Sequence, residues 1–308
     1  MTGSCSSEES KTGKILAGCV LLPVDFSKNC RAALMSVKQI PGIRKIVLLH
    51  VIYNRYLGNE TIAVNPEIEK ADIALEEMKS LIALPGVPVT TVIREISGGE
   101  ISDTINQVAR EHEVSLIVMS RRGAGIIGSV LLGSVASDLV RYGDRPLLLI
   151  PHSAITGTDS SGIPASGFPA ETPKGLFSHV MVCTDFSDPE IGTLCLALLP
   201  WIGRASLFHA VTSGHSEQEV KERESLAETR LAEIRASFTR NGIMADTKAT
   251  TGSAAEEILA FSEQENVSLI LLKSRGKKSL ITSLIGSTSA PVARNAKKPV
   301  LILKPPFC

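Results

Sequence analysis

The sequence predicts an α/β protein of two tandem doubly wound domains, each a five-stranded parallel sheet, related by pseudo-two-fold pairing. Three observations carry that prediction. Short, continuous apolar runs alternate with segments of helical periodicity, the pattern of strands buried on both faces of a parallel sheet. The order of those segments is written twice. Between the copies lies SAITGTDSSGIPASGFPAETPKG, rich in Ser, Gly, Pro and Thr, which reads as an extended linker. A chain of 308 residues gives each copy ample length for its own core. The expected domains span 14–152 and 177–306, with the linker over 153–176.

In the first copy, KILAGCVLLPVDF is a buried strand ending at Pro23-Val24-Asp25, and Ser27 can cap the helix that follows. KIVLLHV is the second strand. Asn65-Pro66 opens a helix in which Ala71, Leu75, Met78 and Ile82 recur at helical spacing. PVTTVIREIS is the third strand, and the helix from Gly99 to Glu111 places Ile101, Ile105 and Val108 in phase. SLIVMS, a glycine loop, a helix and PLLLIPH complete the copy. The second copy opens with HVMVCTDFSD, a helix start at Asp188-Pro189, and the strand ASLFHAV. A long helix near 215–241 carries Ala227, Leu231, Ile234 and Phe238 on one stripe and stops at Asn241-Gly242. A strand, a helix led by Gly252, SLILLKS, a second glycine loop, a helix and PVLILKP close it. PLLLIPH and PVLILKP are the strands through which the halves are expected to pair.

The glycine loops are the most informative feature. Gly123 and Gly133-Ser134 lie in SRRGAGIIGSVLLGSVA, and Gly276 and Gly286-Ser287 in SRGKKSLITSLIGSTSA. The copies stand at one offset of 153 residues (276 − 123 and 286 − 133). Glycine lets backbone N–H groups approach an oxyanion, and a helix start favours negative charge, so each loop is a candidate phosphate site. In parallel sheets ligands bind at the carboxyl ends of the strands, at the topological switch. Asp25 and the Gly123 loop both follow strand ends and can share one crevice.

With a strand ending in Asp, a second strand reading LLHV and a late glycine loop ending in Gly-Ser, the chain resembles a tandem universal stress protein. The resemblance covers nearly everything except the first dozen residues and the linker. It implies an adenine-nucleotide site: Asp25 on the ribose or adenine side, with Pro23 and Met119 beside it. Val51 would meet adenine through its backbone, Gly123, Gly133, Ser134 and Val135 would hold phosphates, Ser120 would donate to ribose or phosphate, and Arg122 would add a charge-assisted bond. The second-half counterparts are Asp185, Ala210, Lys273, Gly276, Gly286, Ser287 and Thr288. The family's leading glycine is absent: its position is Ser120 in the first copy and Lys273 in the second. The first site is therefore the better candidate.

Plainer readings stand beside these. Gly123-Ala-Gly125-Ile-Ile-Gly128 spells GxGxxG, but it follows the fourth strand and the second copy lacks it; Gly128 is followed by Ser-Val, so no Walker A loop is present. Asp25 and Asp185 can equally be helix caps at strand ends. His50 and His209, at matching strand ends, read as structural. Arg121, Arg122, Arg275, Lys277 and Lys278 flank the loops, where such charges are usually solvated.

Composition narrows the function. Thirty-two basic residues balance 32 acidic ones, and aromatics make up only 4%, which argues against nucleic-acid partners. No apolar run reaches the roughly 18 residues of a membrane helix, and the polar N-terminus lacks a signal-peptide stretch. The six cysteines form no close-spaced metal or redox pair, so a reducing cytoplasm fits and no structural metal is expected. The expectation is a regulatory protein binding ATP or another adenine nucleotide, with or without Mg²⁺, and signalling to a protein partner. A nucleotide-independent scaffold of the same fold, associating further as a homodimer or not, is the alternative. No dedicated catalytic base is visible, so enzymatic turnover is not expected.

Overall fold

The computed structural model describes residues 18–54, 66–122, 132–151, 175–187, 198–211, 216–274 and 288–304. The first half contributes β1 (Cys19–Pro23), α1 (Lys28–Ser36), β2 (Lys45–Tyr53), α2 (Pro66–Ile82), β3 (Val89–Ile96), α3 (Ile101–Glu111), β4 (Val114–Ser120), α4 (Ser134–Tyr142) and β5 (Leu147–Ile150). The second contributes β6 (His179–Cys183), β7 (Arg204–Val211), α5 (Glu217–Arg240), β8 (Met244–Thr251), α6 (Ala254–Gln264), β9 (Leu269–Lys273), α7 (Ser289–Asn295) and β10 (Val300–Leu303). The helix start expected at Asp188-Pro189 lies outside the described residues.

The strands join in one ten-stranded sheet of order β3-β2-β1-β4-β5-β10-β9-β6-β7-β8. Each half is parallel throughout, and the halves meet where β5 runs antiparallel to β10, with Leu148 opposite Leu301. This is the pseudo-two-fold pairing that the last strands predicted. Both seam strands are buried along their whole length, so each behaves as a central strand.

The apolar runs are continuous because both sheet faces are covered. Alternate residues of one strand serve opposite cores: Val20 and Leu22 pack with α1 and α2, whereas Leu21 packs with α3 and α4. Every one of these side chains is almost fully buried, and each such burial contributes about 1.5–3 kcal/mol. The stripe of α5 buries Ala227, Leu231 and Phe238, with Ile234 partly covered. Its ends obey local chemistry. The Ser216 hydroxyl accepts from the Glu219 N–H, and Gly242 sits at φ 79° just past the stop.

The last helix differs between the halves. Helix α4 starts at Ser134 directly after Gly133, whereas α7 starts at Ser289, two positions later by the 153-residue offset. Pro291 explains the shift: without an N–H, and with a ring that clashes one turn back, proline fits only the first turn of a helix.

Candidate functional site

Strand order reverses between β1 and β4, and again between β6 and β9, so each half has a crevice at the carboxyl edge of its sheet. The residues around both crevices repeat in detail. Asp25 follows β1, is exposed, and its Oδ1 accepts from the Ser27 N–H (3.1 Å) and hydroxyl (2.6 Å). The Ser27 hydroxyl oxygen in turn accepts from the Cys30 N–H at 3.2 Å, capping α1 as expected. Asp185 makes the same turn, accepting from the Ser187 N–H (2.9 Å) and hydroxyl (2.5 Å). The helix cap is therefore Ser27 and not Asp25, whose carboxylate instead holds Ser27 in a turn.

A device that sequence reasoning left as merely structural shapes the crevice. Val24 N–H donates to Leu49 O, the final rung between β1 and β2. The next rung would run from Val51 to Val24 O, but that carbonyl accepts instead from His50 Nδ1 at 2.8 Å. The His50 ring rests on Phe26, centroids 4.3 Å apart, and Phe26 sits at φ 59°. The chain is thereby turned aside, while β2 continues past the end of β1 with Val51 on its β1-facing side. In the second half His209 Nδ1 donates to Thr184 O at 2.7 Å, and its ring lies 4.4 Å from Phe186, at φ 56°. Ala210 takes the place of Val51. The signal was available in the doubled Asp-Phe-Ser and the matching His50 and His209.

Across the first crevice, Pro23 and Met119 are half-buried strand-end residues, and Ser120 closes β4. The Ser120 hydroxyl donates to Arg122 O at 2.6 Å, so the side chain at the leading-glycine position is tied into its own loop. Gly133 is buried as the N-cap of α4, its N–H donating to Arg121 O at 2.9 Å; Ser134 is exposed and Val135 is half-buried against the core. Gly123, Gly276, Gly286 and Ser287 lie outside the described residues. Thr288 caps α7 without a side-chain hydrogen bond.

One charge departs from the sequence reading. Arg121 is not a solvated loop residue: it is 7% exposed, and its guanidinium reaches the second half, donating to Arg294 O at 3.0 Å and to Ala296 O. Burial, with Arg122 alongside, pulls it down to about 10, so it stays protonated at neutral pH. Lys273, closing β9, is half-buried; burial lowers its pKa and the nearby Asp185 carboxylate partly offsets that. The second crevice therefore contains an ammonium where the first has a hydroxyl. Arg230 of α5 also stands over Phe186, 5.5 Å from the ring centre.

Comparison with known proteins agrees with the duplicated geometry. The model of the universal stress protein family matches residues 19–151 and again 177–304. A universal stress protein of Mycolicibacterium smegmatis is 26% identical over 306 residues, covering 93% of this chain and 97% of its own. One from Methanocaldococcus jannaschii is 30% identical over 153 residues, covering 42% of this chain and 93% of its own. Among solved structures, a universal stress protein of Archaeoglobus fulgidus superposes with a TM-score of 0.63 at 24% identity, covering 94% of this chain and 97% of its own. That likeness concerns the fold.

Proposed function

This chain belongs to the universal stress protein family over both of its halves, and on that premise we propose that its first half binds an adenine nucleotide, with ATP the leading candidate. The observation that carries the reading is the convergence, at the β1/β4 switch, of Asp25, the backbone of Val51 beyond the last β1–β2 rung, and the buried Gly133 opening α4. Asp25 would accept from hydroxyl groups of the ribose or from the base. Val51 would pair with the adenine edge, and Pro23 and Met119 would bury its faces. The α4 start, with Gly133, Ser134 and Val135, would receive phosphate oxygens. A micromolar site needs about 8 kcal/mol, and helix-dipole and charge interactions provide only about 0.3–2 kcal/mol each, so burial of the base supplies most of it.

The second site is the weaker one in this reading. Lys273 lies within electrostatic reach of Asp185, and Ala210 offers less apolar surface than Val51. The bound nucleotide would order the glycine loop and bias a face that a protein partner reads, without chemistry on the ligand. Buried free thiols at Cys19, Cys30 and Cys183 suit the cytoplasmic setting that belongs to the same proposal.

Denaturing the freshly purified protein and counting released nucleotide by mass spectrometry tests the proposal. Asp25→Ala and Asp185→Ala remove the same turn in opposite halves, so each controls for the other's effect on folding. We expect a single nucleotide per chain, lost with Asp25→Ala and kept with Asp185→Ala. No nucleotide from any of the three proteins, with no thermal shift on adding millimolar ATP and Mg²⁺, favours the nucleotide-independent scaffold. The Ser120 hydroxyl, already bonded to Arg122 O, is the observation on that side.

A further inference from the structure

Arg121 is where the first glycine loop, the sheet and the second half meet. Its N–H donates to Ile150 O at 2.9 Å, extending the β4–β5 ladder by one rung. Its carbonyl accepts from the Gly133 N–H, tying together the two ends of the loop at the foot of α4. Its guanidinium donates to Arg294 O and Ala296 O, at the carboxyl end of α7. The last carbonyls of a helix have no partner within it and carry the negative end of its dipole, so a buried cation there serves both needs. The residue at the same offset in the second half, Ser274, makes the matching ladder bond to Leu303 O but has no side chain long enough to reach across.

A return contact runs the other way. Lys304, just past β10, is 6% exposed and its ammonium donates to Val140 O, 2.6 Å away, in the last turn of α4. Each half thus places a buried cation on the final turn of the other half's last helix. Arg121 is also bonded to Gly133, where the first glycine loop meets α4. Helix α4 is consequently held at its start through Arg121 and at its end by Lys304.

We propose that Arg121 is a positioning residue through which the second half braces the start of α4, making the first site depend on its tandem partner. With Arg121 anchored on α7, its backbone carbonyl is fixed and the Gly133 N–H is oriented. Release of the guanidinium leaves that carbonyl free to rotate with the loop. The proposal rests on the nucleotide reading only for its effect on affinity; the bracing itself is a property of the free protein.

The test compares Arg121→Met, Arg121→Lys and Lys304→Met in the full chain. Amide hydrogen exchange of the segment around Gly133 is measured without nucleotide, and ATP affinity is measured separately. Loss of a charge-assisted hydrogen bond is expected to speed exchange at Gly133 by about tenfold or more in Arg121→Met. Arg121→Lys restores part of the protection. Lys304→Met lowers the melting temperature comparably but leaves Gly133 protected, which separates bracing from general loosening of the seam. Unchanged exchange at Gly133 in Arg121→Met, or equal acceleration in Lys304→Met, overturns the proposal. If Arg121→Met does not fold, Arg121→Lys carries the same comparison, since the lysine nitrogen stands one bond nearer its backbone than the Arg121 Nη1 that bonds both carbonyls. Absence of ATP binding in the unmutated protein would sink the nucleotide reading while the exchange result still judges the brace.

Discussion

His50 and His209 show how one side chain can end a ladder: each ring takes the carbonyl that the next strand residue would otherwise have used. Other histidines act on stability instead. His179 is buried and shares a hydrogen bond with the Ser206 hydroxyl at 2.8 Å; burial, then Arg204, hold its pKa below the usual imidazole range. His112 accepts from Lys45 Nζ at 3.3 Å, and burial, then Lys45, lower it too. Both take up a proton at lower pH in the folded chain than in the unfolded chain, where the ordinary value is about 6.5. Their contribution is therefore intact above about pH 6.5 and is lost as pH falls below it. Thermal melts from pH 7.5 to 5.5 should show a falling melting temperature, with a shallower fall in His179→Gln. An identical slope in that variant would assign the acid sensitivity to other groups.

Among the elements, α4 carries the most functional weight and its two ends are built differently. Gly133 opens it in extended conformation, and Gly143 closes it with its N–H donating to Leu139 O at 2.9 Å. A Cβ at Gly143 would collide with that same backbone oxygen, which no rotamer change can relieve. Gly143→Ala should cost about 1–3 kcal/mol, read by urea unfolding. Gly98→Ala, where an added Cβ meets nothing within 4 Å, is the control and should be near neutral. Equal stability of the two variants would mean that the α4 end yields without penalty. Periodicity made the helices legible, as with Ala71, Leu75, Met78 and Ile82 on α2, all buried. The late start of α7 was also written in the sequence, in Pro291.

For the molecule as a whole, the antiparallel seam turns two repeats into one sheet with cores that continue across it. Leu148 and Leu301 face each other there, each 1% exposed. We expect a single calorimetric unfolding transition, because neither half can open without exposing the other's last strand and the carbonyls held by Arg121 and Lys304. Leu301→Asp places an unpaired carboxylate in that seam and should cost about 4 kcal/mol or abolish folding. Two well-separated transitions in the unmutated protein would show that the halves are thermodynamically independent.

The sequence by itself determined the repeat, the strand and helix order, and the strand ends followed by Asp25 and by the glycine loops. Those follow from local patterns: apolar runs, helical spacing, caps and the constant offset of the glycines. Only the tertiary structure decided that Arg121 is buried in the opposite half, that Lys273 stands beside Asp185, and that His50 takes the Val24 carbonyl. Each of these joins residues far apart in the chain, and a lone Arg, Lys or His carries no periodicity that says which carbonyl or carboxylate it will meet.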